Sequence, residues 1–162
     1  MRRRKQEGFS LIEVIIALAL LAGVLIAIAG LFILGGKSVK SGRTSSEALA
    51  TGKQIMEAMD GWGYSQLWGN FGLDGAATTY TVDTATCVTA DCTSWQNTLA
   101  SKLGSSAHAT IKLDSVAQGA SAVPNFVTGG AVTAKNVRVT VNVLWTQVTG
   151  RSRQVSIVTN RN

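Results

Sequence analysis

The sequence is poor in the residues that mark several common protein classes. It has one proline, one histidine and two cysteines in 162 residues, and 15% of its residues are charged. So few cysteines exclude a disulfide-dense scaffold, and 17 glycines without a triplet period exclude collagen. The hydrophobic content of 46% is too high for a disordered chain, and no internal repeat is visible. The length predicts about one domain.

Residues that could carry out catalysis are equally scarce. The sole histidine, His108, stands beside a predicted strand, which favours a surface or hydrogen-bonded core residue over a catalytic base. The sequence has no nucleophile elbow and no cluster of acidic residues through which general acid or base catalysis could act. We therefore predict that the chain is not an enzyme and has no catalytic residue, metal site or cofactor.

The basic residues are concentrated at the N-terminus. The formal charge of +6 would suit nucleic acid, but the run of consecutive basic residues is confined to residues 2–5. The rest of the chain has no basic run interleaved with aromatic residues, so the sequence gives no strong evidence for a nucleic-acid partner. A basic cluster directly before an apolar segment is the positive-inside pattern. It predicts a cytoplasmic N-terminus and an exported C-terminus.

An apolar block extends from Phe9 to Leu34. At about 1.5 Å per residue, a helix of about 26 residues is about 39 Å long, which is enough to cross a hydrocarbon core of about 30 Å. One alternative is a secretory signal, because Ala27-Ile28-Ala29 before Gly30 resembles a signal peptidase site. The apolar run continues past that site to Leu34, which favours a membrane span.

Glu13 is the one ionisable residue inside the apolar block. A carboxylate at the centre of a bilayer costs about 2.5 to 3.5 kcal/mol on insertion scales, so it needs a cationic partner or a proton. The block contains no Lys, Arg or His. A cation would exist if the chain were cut just before the block, where Gly8 has no side chain to obstruct a protease. The alternative is a glutamate that faces a water-filled defect of a simple membrane anchor.

The hexapeptide at residues 8–13, GFSLIE, follows a short basic leader and resembles the class III signal of type IV pilins and type II secretion pseudopilins. The resemblance covers residues 1 to about 34. It implies that a prepilin peptidase cleaves after Gly8 and methylates the new N-terminal residue, Phe9. It also implies that Glu13 pairs with the N-terminal amine of a neighbouring subunit during assembly.

The same resemblance implies an α+β, pilin-like fold. In that fold, a long N-terminal helix with a transmembrane first half packs on a C-terminal antiparallel β-sheet. The expected divisions are a cleaved basic leader at 1–8, the transmembrane and assembly half of the helix at 9–34, its exported half at 35–61, and a globular region with a C-terminal β-hairpin at 62–162.

The exported part of the predicted helix extends from Lys37 to Asp60. Gly35 and Gly36 should weaken it locally, and Gly61 is suited to a left-handed C-terminal cap. The spacing of its apolar residues fits one helical stripe. The candidate buried positions are Val39, Leu49, Ile55, Met56 and Met59.

Downstream of Trp62, period-two alternation gives the clearest signal. Val137, Val139, Val141, Val143 and Trp145 alternate with Arg138, Thr140, Asn142 and Leu144, and this period of two predicts a strand. The other expected elements are strands at Tyr80–Val82 and Ala109–Val116, a short helix over Trp95–Leu103 capped by Ser94, a turn at Thr149-Gly150, and a return strand over Gln154–Thr159 with Val155 and Ile157 on one face.

Cys87 and Cys92 form a single C-x4-C pair. Without a second cysteine pair and with one histidine, a four-ligand zinc site is poorly supported. If this part is exported, a disulfide that acts as a local staple is expected, and two partly buried free thiols are the alternative.

The four tryptophans are candidate core anchors, and a binding surface is the alternative. We predict a core position for Trp145 and leave Trp68 open. The other two are Trp62 and Trp95.

The sequence favours a minor subunit of a type IV pilus, similar to a PilV-type minor pilin, with other pilin subunits and the prepilin peptidase as partners. Such a subunit would cross the bacterial inner membrane once before it joins the pilus at the cell surface. A minor pseudopilin of type II secretion, which would stay periplasmic, shares the whole N-terminal signal. A monomeric membrane-anchored binding module is a further alternative, and it would not depend on Glu13.

Processing before the apolar block predicts a defined mature N-terminus. Intact mass and N-terminal sequencing should show Phe9 first, with one added methyl group, because Gly8 precedes the block. A mature chain that starts at Gly30 would instead establish the secretory alternative.

Overall fold

A computed structural model describes residues 10–119, 121–147 and 150–162. The chain divides into two compact units, Met1–Ser41 and Gly42–Asn162, and we call the second unit the head. Helix α1, Leu11–Asp60, contributes to both units. The fold is α+β and pilin-like, as predicted, with a long N-terminal helix and an antiparallel sheet.

From Leu11 to Leu34, in the first unit, α1 has no polar face. Every large apolar side chain from Leu11 to Leu34 is exposed, and the helix continues through Gly35 and Gly36 without a break. Leucine and alanine favour a helix here, but the side chains bury nothing within the unit. This part of α1 therefore needs an apolar environment outside the chain.

In the head, α1 becomes one-sided. Its buried residues recur every three or four positions, which is the period of a helical stripe. The predicted burial of Ile55, Met56 and Met59 is confirmed. The predicted burial of Val39 and Leu49 is wrong, because Val39 precedes the head and Leu49 lies beside the stripe and not on it. The stripe consists of Ala48, Thr51, Gly52, Ile55, Met56 and Met59.

The head contains one main sheet of four strands in the order β1-β2-β5-β6, with every neighbouring pair antiparallel. A separate two-stranded ribbon pairs β3 with β4. The elements after α1 are two short 3-10 turns, Tyr64–Gln66 and Gly69–Phe71, helix α2, Ala90–Leu103, and the strands β1 Thr79–Asp83, β2 His108–Ser115, β3 Val127–Thr128, β4 Ala131–Val132, β5 Val137–Thr146 and β6 Ser152–Arg161.

The core lies between the inner face of the main sheet and the helices. Alternate residues of β5 from Val137 to Trp145 are buried, as their period-two pattern predicts. Against them, α1 lies close to the sheet at Gly52, where an added Cβ would lie 2.8 Å from Cδ1 of Ile157 and 3.2 Å from Cγ2 of Val143. Glycine therefore lets the helix backbone lie against β5 and β6.

The start of α2 differs from the prediction. The helix begins at Ala90 and not after Ser94, and its N-cap residue is Thr89, whose side chain makes no capping hydrogen bond. Ser94 lies inside the helix. The burial of Trp95, Leu99 and Leu103 follows the predicted spacing of four, together with Cys92 one turn earlier.

The predicted left-handed cap at Gly61 is wrong, because Gly61 has no positive φ. The end of α1 is instead capped by the Arg161 side chain, which donates to the carbonyl oxygens of Met59 at 2.8 Å, Asp60 at 3.3 Å and Trp62 at 3.0 Å. A cation at the C-terminus of a helix also interacts favourably with its dipole. The last strand thus fastens the last turn of the helix.

The hairpin between β5 and β6 turns at the predicted place. Gly150 has a φ of +78°, and its amide donates to the Gln147 carbonyl at 2.8 Å. The other predicted turn residue, Thr149, lies outside the described residues. The predicted strands at Tyr80–Val82 and Gln154–Thr159 lie within β1 and β6, and the strand predicted at Ala109–Val116 is β2, which begins and ends one residue earlier.

The close approach of α1 to the sheet at Gly52 predicts that a large side chain at this position destabilises the head. Gly52→Leu should lower the free energy of unfolding of the head by about 1 to 3 kcal/mol, because its side chain would overpack against Ile157 and Val143. Gly42→Leu is the matched control, because nothing lies within 4 Å of a Cβ at Gly42. Denaturant unfolding of the full chain in detergent, followed by tryptophan fluorescence, measures both variants. Equal stability of the two would contradict this packing.

Candidate functional site

The start of α1 carries the candidate assembly residue. The Ser10 carbonyl accepts hydrogen bonds from the amides of Glu13 at 2.9 Å and Val14 at 3.3 Å, and these bonds begin the helix. Glu13 lies in the first turn, where the helix dipole favours a carboxylate. Its side chain is exposed. Gly8 and Phe9, the predicted cleavage and methylation residues, lie outside the described residues.

The surroundings of Glu13 are apolar. Its exposed neighbours along the helix are Ile12, Val14 and Ile16, and the first basic residue after it is Lys37. Within the described part of the chain, α1 is the one helix long and apolar enough to cross a membrane. Residues 10–36 contain no Lys, Arg or His, so no cation of this stretch can pair with the carboxylate.

Cys87 and Cys92 are joined by a disulfide, with their Cα atoms 5.8 Å apart. Cys92 is fully buried in the first turn of α2, and Cys87 lies in the loop that joins β1 to α2. The disulfide fastens the start of α2 at a point where Thr89 provides no side-chain cap. A disulfide between these two cysteines was the expectation for an exported domain, and two free thiols were the alternative.

The tryptophans belong to the core of the head. Trp145 is 3% exposed and Trp68 is 4% exposed, so the core prediction for Trp145 is confirmed and Trp68 joins it. The ring of Trp68 lies 5.1 Å from that of Phe126, and the half-buried Trp62 stacks on Trp95 at 5.9 Å. In these contacts the aromatic rings pack against one another within the head.

His108 lies at the start of β2. Its Nε2 is 3.9 Å from Oδ2 of Asp83, and the side chain is half-buried. Among the described residues, no three His, Cys, Asp or Glu side chains gather as metal ligands. The histidine and one acid form a weak surface pair.

Two arrangements in the head were not foreseen from the sequence. One is the Arg161 cap, and the other is a loop before β1 in which the Tyr80 hydroxyl donates to the Asp74 carboxylate. The amide of Ala76 also donates to that carboxylate at 2.9 Å. These hydrogen bonds, first from Tyr80 and then from Ala76, lower the pKa of Asp74. The Asp-Gly turn at 74–75 was the available signal.

Comparison with protein-family models matches residues 3–35 to the prokaryotic N-terminal methylation motif. The matched segment contains Gly8, Phe9 and Glu13, and it ends within the N-terminal half of α1. This motif is the class III signal of type IV pilins and pseudopilins. Comparisons with curated protein sequences and with solved structures gave no significant match.

The disulfide predicts that the thiols of Cys87 and Cys92 react with an alkylating reagent only after reduction. In the exported chain, both cysteines should resist alkylation until the protein is reduced, because exported thiols are oxidised. The control is Cys92→Ser, which should leave Cys87 reactive without reduction. Mass spectrometry of the alkylated peptides measures this, and free thiols in the unreduced native chain would contradict the pairing.

Proposed function

We propose that the chain is a minor subunit of a type IV pilus, cleaved after Gly8, methylated at Phe9 and assembled through Glu13. The observation that carries the proposal is the methylation motif at residues 3–35, which leads directly into an exposed apolar helix with one carboxylate. Pilins and pseudopilins are structural proteins, and we propose the same non-enzymatic role here.

The proposed mechanism begins in the inner membrane. The apolar part of α1 holds the subunit in the bilayer, where the Glu13 carboxylate lacks a cation from its own helix. Cleavage creates an amine on Phe9. When a second subunit packs alongside, that amine and the carboxylate of its neighbour neutralise each other. Because an unpaired buried charge costs several kcal/mol, this pairing favours the assembled state over the separate subunits.

The head supports export to the far side of the membrane. Its disulfide belongs in an oxidising compartment, which suits a C-terminus in the periplasm or on the cell surface. The basic run at residues 2–5 favours a cytoplasmic N-terminus. Together they support a single-pass subunit whose head faces outward before extraction.

A minor pseudopilin of type II secretion is the second candidate function, because the methylation motif is shared by both kinds of filament. The two proposals differ in the fate of the mature chain. A pilus subunit should cosediment with sheared pili, whereas a pseudopilin should remain with the cell envelope and its loss should impair protein secretion.

Assembly through Glu13 predicts a selective defect. Glu13→Ala should insert in the membrane at least as well as the unaltered chain. Its free energy of insertion should be more favourable by up to about 3 kcal/mol, because the substitution removes a charge from the bilayer. It should be cleaved normally but be lost from filaments by tenfold or more, because the incoming amine would be buried without a counter-charge. Immunoblots of membrane and sheared-filament fractions measure both quantities.

Glu57→Ala is the matched control, since Glu57 is an exposed glutamate of the same helix within the head. It should assemble normally. Recovery of Glu13→Ala in filaments at the level of the unaltered chain would overturn the pairing mechanism, and the anchored binding module would then be the better reading.

A further inference from the structure

Thr84 is a buried polar residue that lies between the end of β1 and Cys87. Its amide donates to the Ala109 carbonyl at 2.9 Å, and its hydroxyl accepts a hydrogen bond from the Ala109 amide at 2.9 Å. The same hydroxyl donates to Oε1 of Gln96 on α2 at 2.7 Å. Thr84 is 2% exposed, so the loss of one of these hydrogen bonds would leave a polar group unsatisfied away from water, which is costly.

Gln96 uses both ends of its side-chain amide. Its Oε1 accepts from Thr84, and its Nε2 donates to the Ala107 carbonyl at 2.9 Å, just before β2. Because one end of an amide accepts and the other donates, a single orientation of the side chain satisfies both partners. Gln96 lies about one helical turn after Cys92. The contact therefore holds the start of α2, with Cys92, against the segment that leads to Cys87.

Cys87 is held by a backbone turn after β1. The Asp83 carbonyl accepts hydrogen bonds from the amides of Cys87 at 2.9 Å and Thr86 at 3.1 Å. The Asp83 side chain accepts a further one from the Ala85 amide at 2.9 Å. No sulfur atom takes part in these hydrogen bonds or in those around Thr84. The contacts that place the two cysteines can therefore form before the disulfide does.

Apolar packing holds the same part of α2. The ring of Trp95 stacks on Trp62 at 5.9 Å and lies 6.3 Å from the ring of Phe71. The Cα atoms of Cys87 and Cys92 are 5.8 Å apart, within the range of about 4.4 to 6.8 Å that a disulfide needs. A folded head held in this way presents its two thiols at bonding range. Closing the bond then costs little further ordering of the chain.

We propose that Gln96 is a positioning residue for the disulfide. Its hydrogen bonds to Thr84 and Ala107 hold Cys87 and Cys92 side by side in the reduced head, so that the disulfide closes on a head that has already folded. The disulfide then locks an arrangement that the hydrogen bonds define. By linkage, the hydrogen bonds favour the disulfide by the same factor by which the disulfide favours them.

The oxidation is an exchange with a disulfide compound of the compartment to which the head is exported, and this step rests on the proposed function. Cys87 is half-buried and Cys92 is fully buried, so the Cys87 thiolate attacks first and forms a mixed disulfide with the oxidant. The Cys92 thiolate then displaces the oxidant's second sulfur. One disulfide bond breaks and one forms, and the oxidant takes up two electrons and two protons as two thiols.

The thiol–disulfide equilibrium of the full chain in detergent tests the positioning role. The chain is equilibrated in mixtures of reduced and oxidised glutathione, and alkylation with mass spectrometry gives the fraction with the Cys87–Cys92 bond. Gln96→Met should lower the equilibrium constant for oxidation by at least about fivefold, because the reduced head no longer holds its thiols together. Gln54→Met is the matched control, an exposed glutamine of α1 in the head, and should leave the constant unchanged.

A second pair of variants changes the other partner of the same hydrogen bond. Thr84→Val removes the buried hydroxyl at nearly constant volume and should lower the equilibrium constant in the same direction. Thr81→Val makes the same change at an exposed position of β1 and should have no effect. Gly52→Leu, which destabilises the head away from the cysteines, should also leave the constant unchanged while the reduced head stays folded. An equal fall in Gly52→Leu would indicate a general loss of stability and overturn the proposal.

Hydrogen exchange of the reduced, unaltered chain gives a measurement that does not depend on any variant. The amides of residues 93–99 should stay protected after reduction, because Gln96 and the Trp95 packing still hold α2. Exchange at the rate of the unfolded chain would overturn the proposal, as would an unchanged equilibrium constant in a folded Gln96→Met chain. Both measurements use the isolated chain, so a failure of pilus assembly would leave the positioning role standing.

Discussion

The Glu13 carboxylate lies in a part of α1 where every large apolar side chain, from Leu11 to Leu34, is exposed. This helix cannot be stable in water with that surface uncovered, and an unpaired carboxylate is energetically costly in a bilayer. The first unit therefore depends on what surrounds it. In the proposed function, a membrane covers the apolar side chains and the amine of a neighbouring subunit pairs with the charge.

In the head, the same helix buries one face against its own chain. From Ala48 to Met59, α1 presents a single buried stripe and packs on the inner face of a four-stranded sheet. Gly52 sets the distance, because its missing side chain lets the backbone lie against Ile157 and Val143. The side-chain pattern of α1 therefore changes along its length, from apolar on all sides between Leu11 and Leu34 to a single buried stripe between Ala48 and Met59.

The ends of the helices in the head are held by long-range or covalent contacts. Arg161 caps the last turn of α1, and the Cys87–Cys92 disulfide fastens the first turn of α2. Neither helix end uses the side-chain or glycine cap that its local sequence suggested. Such contacts matter in a small domain, where a single core has little stability to spare.

The sequence by itself determined the features that depend on local pattern. The apolar run, the residue 8–13 hexapeptide with Glu13, and the alternation of Val137 to Trp145 are read from neighbouring residues, so the helix, the candidate site and the hairpin strands could be predicted. The tertiary structure decided the cap on α1, since Arg161 reaches Met59 across 102 positions. It also decided the burial of Trp68 and the close approach at Gly52, because both depend on which side chains of distant strands and loops arrive beside them.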